Sequence, residues 1–597
     1  MKRRDFLKMS LGAGVAAALP INIMGLTSCS DNDDNPHEDK PDVSGPADIL
    51  VLGNIITVDD NKLFADAMTI KNGYIQYVGN EATARKLCDS NTEERKYPGK
   101  SIYPGFMEAH CHGSSAGMIE STIKLFDCTT HKEYQDTIAA YIKQHPNEAF
   151  YKIHGWQQDL EGEPKPSREM LDAVSTDKYI FGASMDGHCF LMNTKAMNAL
   201  EITKEWCENF EFSEAPYDKE TNIPTGYLAE RAAAEVQRWF PVDPKAAEDS
   251  ILKWQQFAFK NGYVCAADAG VNLQSGFHEA YIKLAKSKEL KLRTRAFWNI
   301  TKKEASEEAV MKVVKMNKEC NDDYYKVVGL KLFIDGVAES HTALLTERYA
   351  DVDTLGLDRY KDEDGGDPDA TLKKVVLLAH QNGLPTHTHT IGDGAVKKML
   401  DAIEYAKNTT GDFSIRDMLA HIELVRPEDI KRFAKLNVTA IVASLWGPKY
   451  AITDYNTEVK LLGDRADHYY QVINSFVKTG VNCAQHTDYP VNQAFDVPRA
   501  IYCGVTRCLP PNDKSGWGGK QSERLAEEAV TRLEMLKELT INVAKTWNEE
   551  NRMGSLTPGK IANYVVYDTD FIDDDVDRFP IAKLQQVVID GDVVYNN

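Results

Sequence analysis

Ile102-Tyr-Pro-Gly-Phe-Met-Glu-Ala-His-Cys-His112 is the stretch on which the reading of this chain turns. The run is apolar, breaks at Pro104-Gly105, and ends in two histidines with one residue between them. On an extended strand, side chains two apart point to the same side. His110 and His112 therefore present two imidazoles to one point, as a strand end that grips a metal does. A His-x-His alone is a weak signal, so its weight depends on what the rest of the chain brings to it.

Working outward, the middle of the chain alternates strand-like and helical stretches. Besides the opening strand, candidates lie at residues 180–184, 264–268, 295–298, 327–333, 384–389, 418–421, 439–443 and 481–485. Helical patterns separate several of them, as over 370–382 and 395–407. Alternating β and α predicts a parallel sheet with helices outside, open or closed. Nine candidates are one too many for an eight-stranded barrel, so one belongs to an accessory element that the pattern does not single out. Residues 115–250 read as a mostly helical, polar insertion shaping a cleft. The two ends share a different texture: β-rich runs around the hairpin signals Lys71-Asn-Gly73 and Asp590-Gly591. The expected fold is thus α/β. It consists of a (β/α)8 TIM barrel over 104–549 carrying the insertion, and a small β-sandwich built from 47–103 and 550–597.

The first residues are not part of that fold. Lys2-Arg3-Arg4 precedes an apolar run from Leu11 to Leu19, a charged region and a short hydrophobic region that read as an export signal. The twin arginine resembles the Tat pathway, and the run is too short for a stable membrane span. Leu26-Thr-Ser-Cys29 resembles a bacterial lipobox, which implies cleavage before Cys29, acylation of that cysteine and a place in the cell envelope, periplasmic or outer-membrane-associated. A plain signal peptide with an incidental cysteine is the alternative. Residues 30–46 are rich in Asp, Asn and Pro and read as a solvated tether. The net charge of −21 over 597 residues repels phosphate backbones and excludes nucleic acid as a partner. The ten further cysteines are scattered without a C-x-x-C pair and are expected to be free, buried thiols.

Several candidate strands end in a good metal ligand or base: His110 and His112, Lys331, His389, His421 and Asp488. In a closed barrel the C-terminal strand ends converge on one face, so residues far apart in sequence can meet around one ion. With Tyr103-Pro-Gly-Phe-Met-Glu-Ala-His-Cys-His112, His154-Gly-Trp-Gln-Gln-Asp159, Asp186-Gly-His188, Pro224-Thr-Gly-Tyr-Leu-Ala-Glu230, Lys331-Leu-Phe-Ile-Asp-Gly336, His389-Thr-Ile-Gly-Asp393, Asp488-Tyr-Pro490 and Gly554-Ser-Leu-Thr-Pro-Gly559, the order resembles the amidohydrolase superfamily. More narrowly, it resembles amidohydrolase family 3, the YtcJ-like group that includes N-substituted formamide deformylases. The chain departs from that pattern at Leu419-Ala-His421, at Thr487 and at Asn563, none of which removes a ligand.

The resemblance implies a metal-dependent amidohydrolase that cleaves a C–N amide bond of a small N-acyl, N-formyl or cyclic amide. It implies a divalent metal, zinc being the best suited to imidazole and carboxylate ligands. His110, His112 and Asp488 would hold one ion, and His389 and His421 a second. Lys331, carboxylated by carbon dioxide, would bridge them; a single ion with unmodified Lys331 is the alternative. Asp488 would be the general base, and Asp393 and Glu423 would orient ligating histidines. Trp156, Asp186, His188 and His341 are the candidate pocket residues. His387 shares a face with His389 and is expected to be structural. Family members often pair, so a homodimer is expected. Ester or phosphoester hydrolysis on the same scaffold and a non-catalytic envelope binding lipoprotein are the competing functions.

Overall fold

The computed structural model describes residues 41–597 except 120, 121, 161, 241, 274, 275, 451, 469, 493 and 494, and only the backbone of 452–454. The export signal, Cys29 and most of the tether lie outside the described residues. Eight parallel strands follow one another in a single sheet in chain order. They are β1 (Phe106–Cys111), β2 (Tyr263–Ala269), β3 (Arg293–Asn299), β4 (Tyr325–Phe333), β5 (Thr386–Thr390), β6 (Met418–His421), β7 (Thr439–Val442) and β8 (Cys483–Gln485). Two hydrogen bonds join the two ends of the sheet just past β1 and β8. Asp488 N donates to His110 O at 3.1 Å, and His112 N donates to Tyr489 O at 2.8 Å. The barrel therefore closes at the rim where the His-x-His pair sits.

Two kinds of sequence build these strands. Tyr-Val-Cys-Ala-Ala-Asp-Ala in β2 is buried at every position, as expected of a strand covered on both faces. Thr-His-Thr-His-Thr in β5 has no aliphatic residue and is equally buried; its neighbours and the site hold it, not its own hydrophobicity. Helices pack outside. Pro244–Lys260 leads into β2, with Asp243 capping its first turn by accepting from Lys245 N and Ala246 N. Ala370–Gln381 and Asp393–Thr410 flank β5.

The ninth strand candidate, Tyr179–Ser184, belongs to the insertion. There it sits in a five-stranded sheet with Ile123–Lys124, Phe150–Trp156, Cys189–Met192 and Tyr227–Ala229. The insertion is thus not the mostly helical segment expected. It has helices such as His131–Gln144 and Glu230–Arg238, but they pack on this sheet. Its strands are short or interrupted by polar residues, which hides their period.

The chain ends form one continuous seven-stranded sheet. The twelve-residue strand Glu93–Pro104 joins its halves: it pairs along one edge with Ile49–Ile56, and its second half pairs along the other edge with Tyr564–Tyr567. One apolar cluster takes Val51, Met68 and Ile75 from one half and Tyr564, Val566 and Val588 from the other. The sheet therefore folds over a shared core, as the layers of a sandwich do. All ten cysteines from Cys88 onward are free and most are buried, as expected for a chain folded before export.

Candidate metal centre

His110, His421 and Asp488 each place a ligand atom within 4.8 Å of the others, and all three are buried. His110 Nε2 lies 3.3 Å from Asp488 Oδ1, and His421 Nδ1 lies 3.8 Å from Asp488 Oδ2. His112 comes from the same strand end and brings Nε2 to 3.5 Å from Asp488 Oδ1. Lys331, on β4 and without exposed surface, puts Nζ 3.4 Å from His110 Nε2. His389 stands one ring further out, its centroid 4.6 Å from that of His421. Its Nε2 lies 3.1 Å from Gly336 O. A carbonyl only accepts, so Nε2 carries the proton and Nδ1 keeps the lone pair. Two of the residues hold costly backbone: His421 has φ 77° and Asp488 φ 55°, a left-handed conformation that non-glycine residues keep at about 1–3 kcal/mol each where the surroundings enforce it.

The electrostatics suit a cation. Burial and then the charge of Lys331 hold His110 well below the usual histidine range; burial and then His389 do the same to His421. Both are neutral imidazoles with a lone pair to give. Burial pulls Lys331 down to about 7, against the pull of Asp488. Burial pushes Asp488 up to about 6, against the pull of Lys331. Asp488 Oδ1 and His421 Nδ1 are buried and without hydrogen-bond partners. Each unsatisfied buried polar atom costs about 1–3 kcal/mol. A divalent ion bound by imidazole nitrogen and carboxylate oxygen supplies what both lack, and the donor set suits zinc and its neighbours.

A supporting layer fixes these side chains, and much of it was not foreseen. Glu108 accepts from His110 N at 3.0 Å and from Thr487 N and Oγ1 at 3.2 and 2.9 Å. It ties β1 to the residue before Asp488, and burial pushes its carboxyl up to about 8. His387, expected to be structural, lies against the candidate ligand His110: its Nε2 is 2.6 Å from His110 Nδ1. His486 is buried with both ring nitrogens unpartnered, its ring 5.0 Å from that of His421. The parity of 108 with 110 and of 486 with 488 was the available signal. The carboxylate beside His389 is Asp335, 3.6 Å from its Nε2. Asp393, the expected orienter, instead receives the Thr346 backbone and hydroxyl. Glu423 sits by Glu339, Glu458 and Asp335; burial and their charges push it well up, and it makes no hydrogen bond to an imidazole among the described residues.

The four pocket candidates divide evenly. Asp186 and His188 line the cavity that opens from the site. His188 Nδ1 lies 3.1 Å from Glu230 Oε2. Burial opposes its charge, but the Glu230 carboxylate outweighs burial and lifts it to about 9. Trp156 does not line the cavity. Gly155, with φ 91°, and a register shift after His154 turn the indole into the opposite core, where it donates to Gly182 O at 3.2 Å. His341 turns away to Asp351, 3.1 Å from its Nε2.

Residues 98–595, most of the chain, match the sequence profile of the amidohydrolase family. The chain belongs to that family. This amidohydrolase is 26% identical over 545 residues to Protein LONG AFTER FAR-RED 3 of Arabidopsis thaliana, covering 88% of each chain. It is 23% identical over 577 residues to the N-substituted formamide deformylase of Arthrobacter pascens, covering 92% of this chain and 98% of that one. Its fold resembles that of an uncharacterized metal-dependent hydrolase from Pyrococcus horikoshii, with TM-score 0.68 and 21% identity over 88% of this chain and 99% of that one. Residues 1–20 match a twin-arginine translocation signal sequence, so the amidohydrolase carries an export signal. No helix among the described residues is long and apolar enough to cross a membrane. The cavity of this amidohydrolase measures about 890 Å³ and runs from His112 and His188 along the insertion.

Proposed function

We propose that this metal-dependent hydrolase cleaves a C–N amide bond of a small molecule, with Asp488 moving the proton. The observation that carries the reading is Asp488 itself. Its carboxylate is buried, has an unpartnered oxygen, lies within 3.8 Å of three imidazoles, one of which, His112, lines the cavity, and has its pKa pushed up to about 6. A carboxylate poised there can take a proton from attacking water and give it to the departing amine nitrogen near neutral pH. His188 faces the same cavity and is kept protonated by Glu230; it favours the negative charge that develops on the carbonyl oxygen. When bound, a divalent ion supplies Lewis acidity and lowers the pKa of its water.

His110, His112, His389, His421 and Asp488 would hold zinc. Lys331 is the bridging candidate, since burial in this site favours the neutral amine that reacts with carbon dioxide. The deformylase relative makes N-substituted formamides the first compounds to try. The experiment measures metal content and turnover of N-formyl and N-acetyl amines, with ¹³C-bicarbonate NMR for a carbamate on Lys331. The expected result is one or two equivalents of metal and an amide activity abolished by Asp488→Asn. Metal-loaded protein that cleaves esters and leaves every amide intact would refute the reading. The envelope location follows the same logic: Cys29→Ala should release the protein from membranes, and a variant that stays membrane-bound removes the lipid anchor.

A further inference from the structure

The face that the insertion sheet turns to the cavity carries an unbalanced cation. Lys152 and His154 stand two apart on the strand Phe150–Trp156. Across the register Lys152 pairs with Phe181 and His154 with Ala183, which pairs with Phe190. All five residues line the cavity. The wall is therefore aromatic with two nitrogen groups set into it.

Neither group is satisfied. Lys152 is half-buried, makes no hydrogen bond or ion pair among the described residues, and has its pKa lowered by burial alone. Of the cavity's other cations, Arg359 is paired with Glu230, Lys302 with Asp362, Arg231 with Glu214 and Arg238 with Glu304, while Lys303, without an ion pair among the described residues, is exposed rather than set into the wall. Glu235, a carboxylate of the helix Glu230–Arg238 that also lines the cavity, makes no ion pair with Lys152 among the described residues. His154 Nε2 is buried without a partner, and burial holds this imidazole neutral, with its pKa lowered to about 4. An ammonium left without a counter-ion in an apolar wall is costly unless an anion arrives with the ligand.

The placement fixes where that anion lies. Phe181, opposite Lys152, is three residues before Ser184, the end of its strand, where the chain turns to Asp186 and His188. At about 3.3 Å per residue, Lys152 is set back roughly 10 Å from that end. We propose that the substrate is an amide whose far end carries a carboxylate, paired by Lys152 and hydrogen-bonded by His154. Its apolar body lies against Phe181 and Phe190. A volume of about 890 Å³ accommodates such a molecule and far exceeds a simple formamide. The inference rests on the amide-hydrolase reading and adds a substrate class to it.

The test compares 4-(acylaminomethyl)benzoates with N-benzyl amides that differ only by the carboxylate, with formyl and acetyl as acyl groups, on the metal-loaded full-length enzyme. A charge-assisted contact of this kind predicts kcat/KM higher for the benzoates by about 10- to 100-fold. Lys152→Met should bring the ratio toward one, Lys152→Gln should do the same, and Lys152→Arg should keep most of it. Metal content and melting temperature check that each variant is folded. Equal rates for the two series in the wild type, or a preference that survives Lys152→Met, overturns the inference. If no amide is cleaved, the amide reading falls, and calorimetry with the same benzoates decides the site alone. Binding lost in Lys152→Met upholds the carboxylate site; equal binding by both proteins, or none, overturns it.

Discussion

The contact between His387 and His110 tests how the candidate metal centre is held. His387 Nε2 and His110 Nδ1 are 2.6 Å apart, and both rings are without exposed surface. For His110 to offer a lone pair on Nε2, the atom 3.3 Å from Asp488, its proton must sit on Nδ1 and be donated to His387. His387→Leu removes the acceptor and leaves that N–H unpaired in a dry site. The loss is about 1–3 kcal/mol, or about 5- to 150-fold in an equilibrium constant. The packing change is small beside this, because the leucine meets the Phe297 ring, now 4.6 Å away between centroids. The expected outcome is a divalent-metal affinity lower by about 10- to 100-fold, read by competition with a chromophoric chelator. His387→Gln, whose amide oxygen accepts, should recover most of it. A leucine variant with wild-type affinity refutes the reasoning.

Three more outcomes follow from buried charge. Glu549→Leu strands Arg295, which has no exposed surface and now makes two contacts to Glu549 at 2.9 and 2.7 Å. The expected cost is about 3–5 kcal/mol in a denaturation midpoint, mostly recovered by adding Arg295→Met. Burial pushes Glu538 up to about 8. Between about 4.5, its unfolded value, and 8, the folded chain keeps a proton that the unfolded chain has lost, so stability falls as pH rises through that window. Glu538→Gln, still able to meet Gln485, should raise the melting temperature over wild type at pH 8 and leave it nearly equal at pH 4.5; a gain of the same size at both refutes the assignment. Lys331→Met should lower amide turnover by about 10- to 100-fold, with partial rescue by added short-chain carboxylates; unchanged turnover removes Lys331 from the reaction.

The barrel was legible because its strands announce themselves twice, by apolar runs such as that of β2 and by ligand-type residues at their ends. What periodicity could not do was assign residues 180–184 to a sheet. That strand has the burial of a barrel strand, and only the partners of Phe150–Trp156 and Cys189–Met192 place it in the insertion. Those partners were hidden for physical reasons. Lys152 and His154 interrupt the apolar alternation because they face a cavity, and Tyr227–Ala229 is too short to show a period.

At the site, strand parity predicted which residues converge but not which neighbours hold them. His110, His421 and Asp488 meet because closing a parallel sheet brings its C-terminal ends to one rim, a consequence of topology that sequence order carries. The choice between Asp335 and Asp393 depends instead on the path of a loop. Asp335 accepts from Ile391 N and Gly392 N, and so turns the backbone that begins the next helix toward itself; Asp393, one residue further, is carried round to Thr346. Trp156 shows the same limit from the other side. Alternation puts it with Lys152 and His154, and one glycine at φ 91° reverses it. Ligand identity in this fold is therefore set by topology, whereas ligand orientation and pocket lining are set by single backbone torsions. Substitution at Gly155 tests that division: an alanine there must abandon the positive φ or meet Phe126 at 2.7 Å. It should change substrate preference while leaving metal content as it was, and a loss of metal would show that the two levels are not separable.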